Sequence, residues 1–255
     1  MTQKELLAIA VAQSAIDLNC RPEDLTSGKK VVVESKPHPK ARAYLKLPFS
    51  CNLVSYGGGV VASVSPEVRE IVTAYIEKYS VEHLFETPNL HALDDALAPH
   101  GLRSCFMAEY FLPDLSALRP LPCKYDLQLL GPADFKHLYL PQWSNALSDK
   151  RPHLDVLGVG AYDGDTLIGF AGCSADCDSM WQIGIDVLPD YRRQGIASAL
   201  TARLALECLQ RGKVPFYCAA WSNISSVRNA IKAGFRPAWV ELTVKSIETV
   251  NGMNQ

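Results

Sequence analysis

The chain has 255 residues, of which 48% are hydrophobic and 20% are charged. This is an ordinary globular balance with enough apolar material for a core. The formal net charge of −2 provides no basic field, so we expect neither nucleic acid nor an anionic membrane as a partner. The start is charged and no apolar run is long enough to span a bilayer, so we expect a cytoplasmic protein.

The eight cysteines are scattered through a chain that has material for a core of its own. Reduced, buried thiols are therefore the prediction, rather than a disulfide framework. Cys173 and Cys177 have neither a second cysteine pair nor a histidine close by in the sequence, so no metal site is predicted.

The first part of the chain alternates helix and strand signals. Capping-box spacing, β-branched runs, a glycine-rich turn and a Ser-Pro pair mark the element boundaries. The predicted elements are a helix from Thr2, a strand at residues 30–34, two strands within residues 51–65 joined by the run Gly57-Gly58-Gly59, and a helix capped by Ser65 that extends to Tyr79.

A proline-rich stretch at residues 113–123 separates this region from the next. Prolines at that density disfavour helix and central strand, and linkers between domains often have this composition. We therefore place a domain boundary there, with an N-terminal α/β domain at residues 1–118 and a second domain at residues 119–255.

The second region predicts a sheet flanked by helices. Strands are expected at residues 125–130, 156–162, 166–174, 180–188, 214–221 and 236–245, with helices within residues 132–148, after residue 195 and at residues 224–233. Asp163-Gly164-Asp165 is the expected hairpin turn. The fold class that follows is α/β with mixed α+β character, in which a central mixed sheet is flanked by helices.

One helix start in this region has the composition of a phosphate cradle. The strand at 180–188 leads through Pro189 into Arg192-Arg193-Gln194-Gly195-Ile196-Ala197. The first turn of a helix presents unpaired N–H groups and positive potential. Small residues let an anion approach the backbone, and the arginines add charge suited to phosphate. Arginines beside a helix start are, however, often only solvated, so this motif alone leaves both interpretations open.

A second motif follows the strand at 214–221. Asn223 is a good N-cap for the next helix, and Gly234 is a natural terminator. Ile224, Val227 and Ile231 are expected to face inward. Each of these residues alone needs no ligand to explain it.

Together the two motifs resemble the GNAT superfamily of N-acetyltransferases. The cradle signature of that family is Arg or Gln, two residues, Gly, one residue, then Gly or Ala, and it reads here from Arg192 to Ala197. Asn223 and the pair Gly234-Phe235 match the second motif in register. The resemblance covers about residues 124–247 and includes the order of the strands.

The resemblance implies two splayed strands whose gap accepts the pantetheine arm of acetyl-CoA, the acyl donor. The residues expected to bind the donor are Ile185 and Val187 through their backbone, Arg192, Arg193, Gln194, Gly195, Ile196 and Ala197 at the pyrophosphate, and Asn223 and Ser226 beside the arm or the thioester. No metal is implied.

The catalytic residues are not identified by the sequence. Many members of the family have a tyrosine as the acid where this chain has Ala230, and the glutamate that some use as a base is absent from Met180-Trp181-Gln182. Asp178 and Asp186 are expected to be solvated or capping groups. Trp221 is either an acceptor-site residue or a core residue, and Cys218 is expected to be a buried thiol rather than a nucleophile, because no histidine has a suitable context.

For the N-terminal domain we state a hypothesis, namely that it is a degenerate copy of the same fold. The strand–turn–strand–helix order of residues 51–79 motivates it. Ser65-Pro66-Glu67 replaces the cradle there, so no second coenzyme site is predicted.

The implied function is transfer of an acetyl or other acyl group from acetyl-CoA to a primary amine of a small-molecule or peptide acceptor. The acceptor and the acyl length stay open, and a homodimer is one option for the assembly. Two other classes remain, a non-catalytic acyl-CoA-binding or sensor module and an interaction protein in which both motifs are only helix caps.

Overall fold

A computed structural model describes residues 1–254. Its helices are α1 (Gln3–Leu18), α2 (Pro22–Thr26), α3 (Arg69–Lys78), α4 (Thr87–Leu97), α5 (Pro132–Phe135), α6 (Ile196–Gln210), α7 (Ile224–Lys232) and α8 (Ile247–Gly252). Its strands are β1 (Lys30–Glu34), β2 (Cys51–Ser55), β3 (Val60–Val64), β4 (Leu102–Pro113), β5 (Asp126–Leu130), β6 (Asp155–Asp163), β7 (Thr166–Ser174), β8 (Met180–Val187), β9 (Val214–Ala219) and β10 (Phe235–Ser246).

The residues pack into two compact units. The N-unit consists of residues 10–110 and 238–255, and the C-unit consists of residues 1–9 and 111–237. The elements α1, β4 and β10 each contribute residues to both units. The domain boundary expected between residues 118 and 119 stays a prediction. Among the described residues, no helix is both long enough and apolar enough to cross a membrane.

The N-unit contains a mixed sheet covered by helices. β1 runs parallel to β3, and β2 is antiparallel to both β3 and β10. β2 and β3 are entirely buried, and α3 and α4 supply buried residues to the same core. The predicted glycine-linked strand pair is confirmed. The hypothesis of a degenerate duplicate is not tested by these features and stays a prediction.

A buried arginine holds the segment before β2 in place. Arg42 is 3% exposed and forms ion pairs with Asp17 of α1 and Glu241 of β10. The indole N–H of Trp239 donates to the same Glu241 carboxylate at 2.8 Å. Since an unpaired charge at this depth would be strongly unfavourable, the three ionic groups fix the segment together.

The structure of the first region differs from the sequence predictions in two respects. The helix after Ser65 begins with a separate 3-10 turn at Pro66–Val68, and the Ser65 side chain does not cap it. Neither α4 nor the long strand β4 was predicted. By contrast, the capping box of α1 is confirmed, because Thr2 and Glu5 each donate a backbone N–H to the other's side chain.

The C-unit has a five-stranded arrangement in the order β9-β8-β7-β6-β5. β5 to β8 are antiparallel neighbours, whereas β9 runs parallel to β8. α6 packs its apolar circumference against one face of these strands and is the largest contributor to the core there. The predicted α/β architecture, with a mixed sheet flanked by helices, is thereby confirmed.

The helices predicted within residues 132–148 are mostly wrong. Only α5 and a 3-10 turn at Pro141–Trp143 form. The segment that follows, Ser144–Ser148, instead lies flat on β7 and β8, where Gly172 and Gly184 leave room for it. A Cβ at Gly184 would overlap the backbone oxygen of Asn145, and one at Gly172 would overlap that of Ala146. The backbone of this segment packs closely on the sheet and does not form a helix.

We therefore expect Gly184→Ala to lower the free energy of unfolding by about 2–3 kcal/mol, because the added methyl group overpacks a rigid contact. Gly131→Ala is the matched control, since its Cβ would meet nothing closer than 3.9 Å, and it should cost less than about 1 kcal/mol. Urea unfolding of both variants measures the difference. Equal losses would show that Ser144–Ser148 is free to move away from β8.

Candidate functional site

β8 and β9 are paired over a short stretch and then separate. Their paired residues are Met180 with Val214, Trp181 with Pro215 and Gln182 with Phe216. β8 continues to Val187 beyond this point, so its last residues have β7 on one side and no β9 ladder on the other. We call the point at Gln182 and Phe216 the fork.

The register of β8 shows which of its backbone groups face the fork. Leu188 N–H donates to Ile168 O at 2.9 Å, and the ladder between β7 and β8 continues without a register shift. Hydrogen-bonded pairs alternate along an antiparallel ladder, so every second residue bonds to β7. The backbone groups of Ile185 and Val187 consequently point away from β7, into the gap. Consistently, the Val187 carbonyl accepts a hydrogen bond from Arg192 Nε at 3.1 Å.

The turn from β8 into α6 forms a concave set of backbone N–H groups. Arg193 has φ of +62° and Gly195 has φ of +85°, and left-handed residues within such a turn make an anion-binding nest. The left-handed conformation costs a non-glycine residue about 1–2 kcal/mol, so the strain at Arg193 points to a functional geometry. The first turn of α6 contains no acidic residue. The turn is therefore suited to an anion.

Three cations surround this turn, one of which the motif did not reveal. Arg192 and Arg193 are exposed there. The third is Lys232 at the end of α7, whose Nζ lies 3.9 Å from where a Cβ of Gly195 would be. No local sequence signal marks Lys232, because only the packing of α7 on α6 brings it to the cradle.

Gln194 is turned toward the protein rather than toward the concave side. Its Oε1 accepts a hydrogen bond from Tyr125 OH at 3.1 Å, and its Nε2 donates to Asp190 O at 3.4 Å. Tyr125 also makes an edge-to-face contact with Tyr191. The side chain of Gln194 thus braces the turn, and its contribution to an anion would come from its backbone.

The second motif supplies a cap and a pair of hydroxyls. Asn223 caps α7, accepting a hydrogen bond from Ser226 N at 3.2 Å, which confirms the predicted N-cap. Ser226 Oγ lies 2.7 Å from the hydroxyl of Tyr217 on β9. Burial raises the pKa of Tyr217, so the phenol keeps its proton. Tyr217 was not predicted from the sequence, since an aromatic residue inside a strand normally indicates core.

The predicted inward face of α7 is confirmed at Val227, which is half-buried against the core, and is wrong at Ile224 and Ile231. Ile224 is 51% exposed and Ile231 is 55% exposed, whereas Ala230 is fully buried. Asn229, beside it, donates to Thr201 of α6 at 3.0 Å. The small and polar side of α7 packs on α6, which leaves Ile224 and Ile231 in solvent. Trp221 is 59% exposed, so of its two interpretations the core residue is excluded.

The two acidic residues near β8 have different surroundings. Asp186 accepts three hydrogen bonds, from Asn145 N, Asn145 Nδ2 and Ala146 N, at 2.6–3.0 Å. This confirms it as a capping group, and it secures the segment Ser144–Ser148. Asp178 is exposed, and its backbone oxygen accepts from Lys213.

Cys218 is half-buried on β9, rather than fully buried as expected. Gln182 Nε2 donates to its Sγ at 3.1 Å, so the two side chains mark the fork on the face opposite α6. Among residues 1–254, no group of three or more His, Cys, Asp or Glu side chains is placed to hold a metal ion.

Because Asp186 holds three donors, Asp186→Ala should lower the free energy of unfolding by about 2 kcal/mol. Asp190→Ala, on an exposed turn residue, should leave it within about 0.5 kcal/mol of the wild type. Thermal unfolding of both variants provides the measurement. A stable Asp186→Ala protein that had lost only its activity would instead identify this carboxylate as a base.

Comparison with known proteins gives one family. A family model described as GNAT acetyltransferase matches residues 109–238, slightly more than half of the 255-residue chain. A comparison with curated proteins found no match.

Solved structures of the same kind resemble this chain at low identity. A GCN5-related N-acetyltransferase-like protein from Streptococcus suis 89/1591 is 23% identical over 62% of this chain and 69% of its own, with a TM-score of 0.47. A GCN5-related N-acetyltransferase from Kribbella flavida is 16% identical over 60% and 63%, with a TM-score of 0.49. An aminoglycoside N-acetyltransferase in complex with CoA is 22% identical over 47% and 92%, with a TM-score of 0.36.

Proposed function

The chain belongs to the GNAT acetyltransferase family, and on that premise we propose that it is an enzyme that transfers an acetyl group from acetyl-CoA to a primary amine. The observation that carries the proposal is the position of the fork directly before the cradle. β8 leads from Gln182, where it leaves β9, to the concave turn at Arg193–Ala197 within one strand and one turn.

The residues present fit an acyl-CoA. The pyrophosphate would be held by the N–H groups of the nest and of the first turn of α6, with charge from Arg192, Arg193 and Lys232. Any side chain at Gly195 would project toward Lys232 Nζ, into the space that the phosphates need. The extended arm would pair with the backbone of Ile185 and Val187, whose N–H and C=O groups face the gap. Asn223 and Ser226 would lie beside its end.

The bound donor supplies a thioester carbon open to attack by a neutral amine. The chain contributes chiefly by positioning, since holding two reactants in a productive geometry removes much of the barrier. Backbone N–H groups of β8 at the fork are suited to polarise the thioester oxygen. Because a thiol has a pKa of about 8.5, its thiolate is a good leaving group near neutral pH. The hydroxyl pair of Ser226 and Tyr217 is the proposed source of the proton that it takes up.

The test compares glutamate substitutions at the two ends of α6. Saturating acetyl-CoA, at about a hundred times its Kd, should stabilise the wild type by ~2.7 kcal/mol and shift its Tm by a few degrees. Gly195→Glu should abolish this shift, because the carboxylate would project toward the phosphates.

Gly212→Glu is the matched control, since Gly212 follows the same helix with a similarly left-handed φ of +71° and open space around it. It should carry the same backbone strain and keep the full shift. A wild-type protein that does not respond to acetyl-CoA would contradict the proposal. A protein that responds but releases no thiol with any amine would be a non-catalytic binding module.

A further inference from the structure

A polar cavity of about 190 Å³ lies beside the fork, and the proposed donor site does not use it. Its walls are the segment Ser144–Ser148, Arg151, the start of β6, the end of β7 and residues 182–184 within β8. Gln182, the last residue of β8 that pairs with β9, lines it and reaches Cys218 across the fork. A molecule in this cavity would therefore have one end at the fork.

Three polar side chains lie in one row along the wall of the cavity. Asp155 is the register partner of Ser174, and Ser174 is the register partner of Gln182. Directly opposite residues on neighbouring strands project from the same face of a sheet, and all three line the cavity. With two strand spacings between the ends, Asp155 lies roughly 10 Å from the fork.

The far end of the row offers a carboxylate oxygen and a hydroxyl. Asp155 is 3% exposed, and its hydrogen bonds from Ser148 N at 3.0 Å and Tyr139 OH at 3.2 Å both end on Oδ2. That arrangement leaves Oδ1 for a ligand. Ser174 Oγ is buried and has no hydrogen-bond partner in the part of the chain that the structure describes. Buried hydroxyls are normally satisfied, so the Ser174 hydroxyl is available to hydrogen-bond a ligand in the cavity.

The charge at this end is negative. Arg151 forms an ion pair with Asp176, so these two formal charges cancel and the charge of Asp155 remains. Burial is the largest influence on the Asp155 carboxyl and raises its pKa, while the hydrogen bonds from Ser148 and Tyr139 and the charge of Arg151 act in the opposite direction. A cationic ligand beside the carboxyl would add to this opposing effect. An ammonium group has three donors and no acceptor, and the carboxylate oxygen and the hydroxyl oxygen would accept from two of the three.

We propose that this cavity binds the acceptor through a second, cationic amino group, and that the acceptors are therefore diamines and related compounds with two amino groups. The inference rests on the proposed function. One amino group is held as ammonium by Asp155 and Ser174, and the other reaches the fork as the neutral amine. There a C–N bond forms and the C–S bond breaks. The amine nitrogen loses a proton, the thiolate leaves and is protonated, and the products are a mono-acetylated diamine and a free thiol.

The experiment measures kcat/KM for thiol release with acetyl-CoA and aliphatic diamines from diaminopropane to diaminohexane, each against the monoamine of equal chain length. A buried charge-assisted contact should favour the diamine by about tenfold or more. The preference should peak at one chain length, because both ends are fixed. Equal rates for diamines and monoamines would overturn the inference, although they would leave the acetyltransferase proposal intact.

Two variants localise the effect. Ser174→Ala removes a hydroxyl that has no protein partner and should raise KM for diamines about three- to tenfold while leaving monoamines unchanged. Asp155→Asn should reduce the diamine preference to about twofold or less, with the acetyl-CoA thermal shift preserved. Asp165→Asn, on the exposed hairpin turn, is the control and should behave as wild type.

If Asp155→Asn fails to fold, the kinetics of Ser174→Ala test the inference alone. An unchanged KM for diamines in that variant contradicts the inference. Absence of both a thermal shift and thiol release in the wild type would be a different result, because it removes the proposed function itself.

Discussion

The site depends on the short pairing between β8 and β9. A strand that leaves its neighbour exposes N–H and C=O groups that need partners. Here those of Ile185 and the N–H of Val187 face the gap, while the Val187 carbonyl already accepts from Arg192 Nε. The pairing before the fork is buried, with Met180, Val214 and Phe216 inaccessible to solvent or nearly so. The paired residues before the fork are therefore fixed, whereas the edge of β8 after the fork is open. In the proposed complex, the extended arm of the donor would complete it in the way that an added strand completes a sheet edge.

In the proposed reaction, the alternation of side chains along β8 would place the two reactants on opposite faces of the sheet. Ile183, Ile185 and Val187 pack in the core that α6 covers, and α6 begins at the cradle. Gln182, Gly184 and Asp186 face the segment Ser144–Ser148, which forms a wall of the polar cavity. Because both sets meet at the fork, one strand would position both reactants in the proposed reaction. Gly172, Gly184 and Asp186, which hold Ser144–Ser148 against the sheet, would then support the acceptor side.

What could be predicted from the sequence was local. Strands β6 to β9, the cradle turn and the Asn223 cap follow from periodicity and from Gly, Pro and Asn positions, which act over a few residues. The hydrophobic pattern of α7 located an apolar stripe but not the face that is covered, hence the error at Ile224 and Ile231. Lys232 reaches the site only because α7 packs on α6, and the hydroxyl pair forms only because α7 brings Ser226 to Tyr217 of β9. The row from Asp155 to Gln182 depends on strand register, which no single segment encodes.

Hydrogen exchange of the backbone amides, measured with and without saturating coenzyme A, tests the central claim most directly. If the arm pairs with the open edge of β8 and the phosphates occupy the nest, exchange in residues 183–199 should slow on binding. Peptides from β1 to β3 in the N-unit should be unaffected. Binding without any protection in residues 183–199 would contradict the account, because the donor would then lie away from the fork.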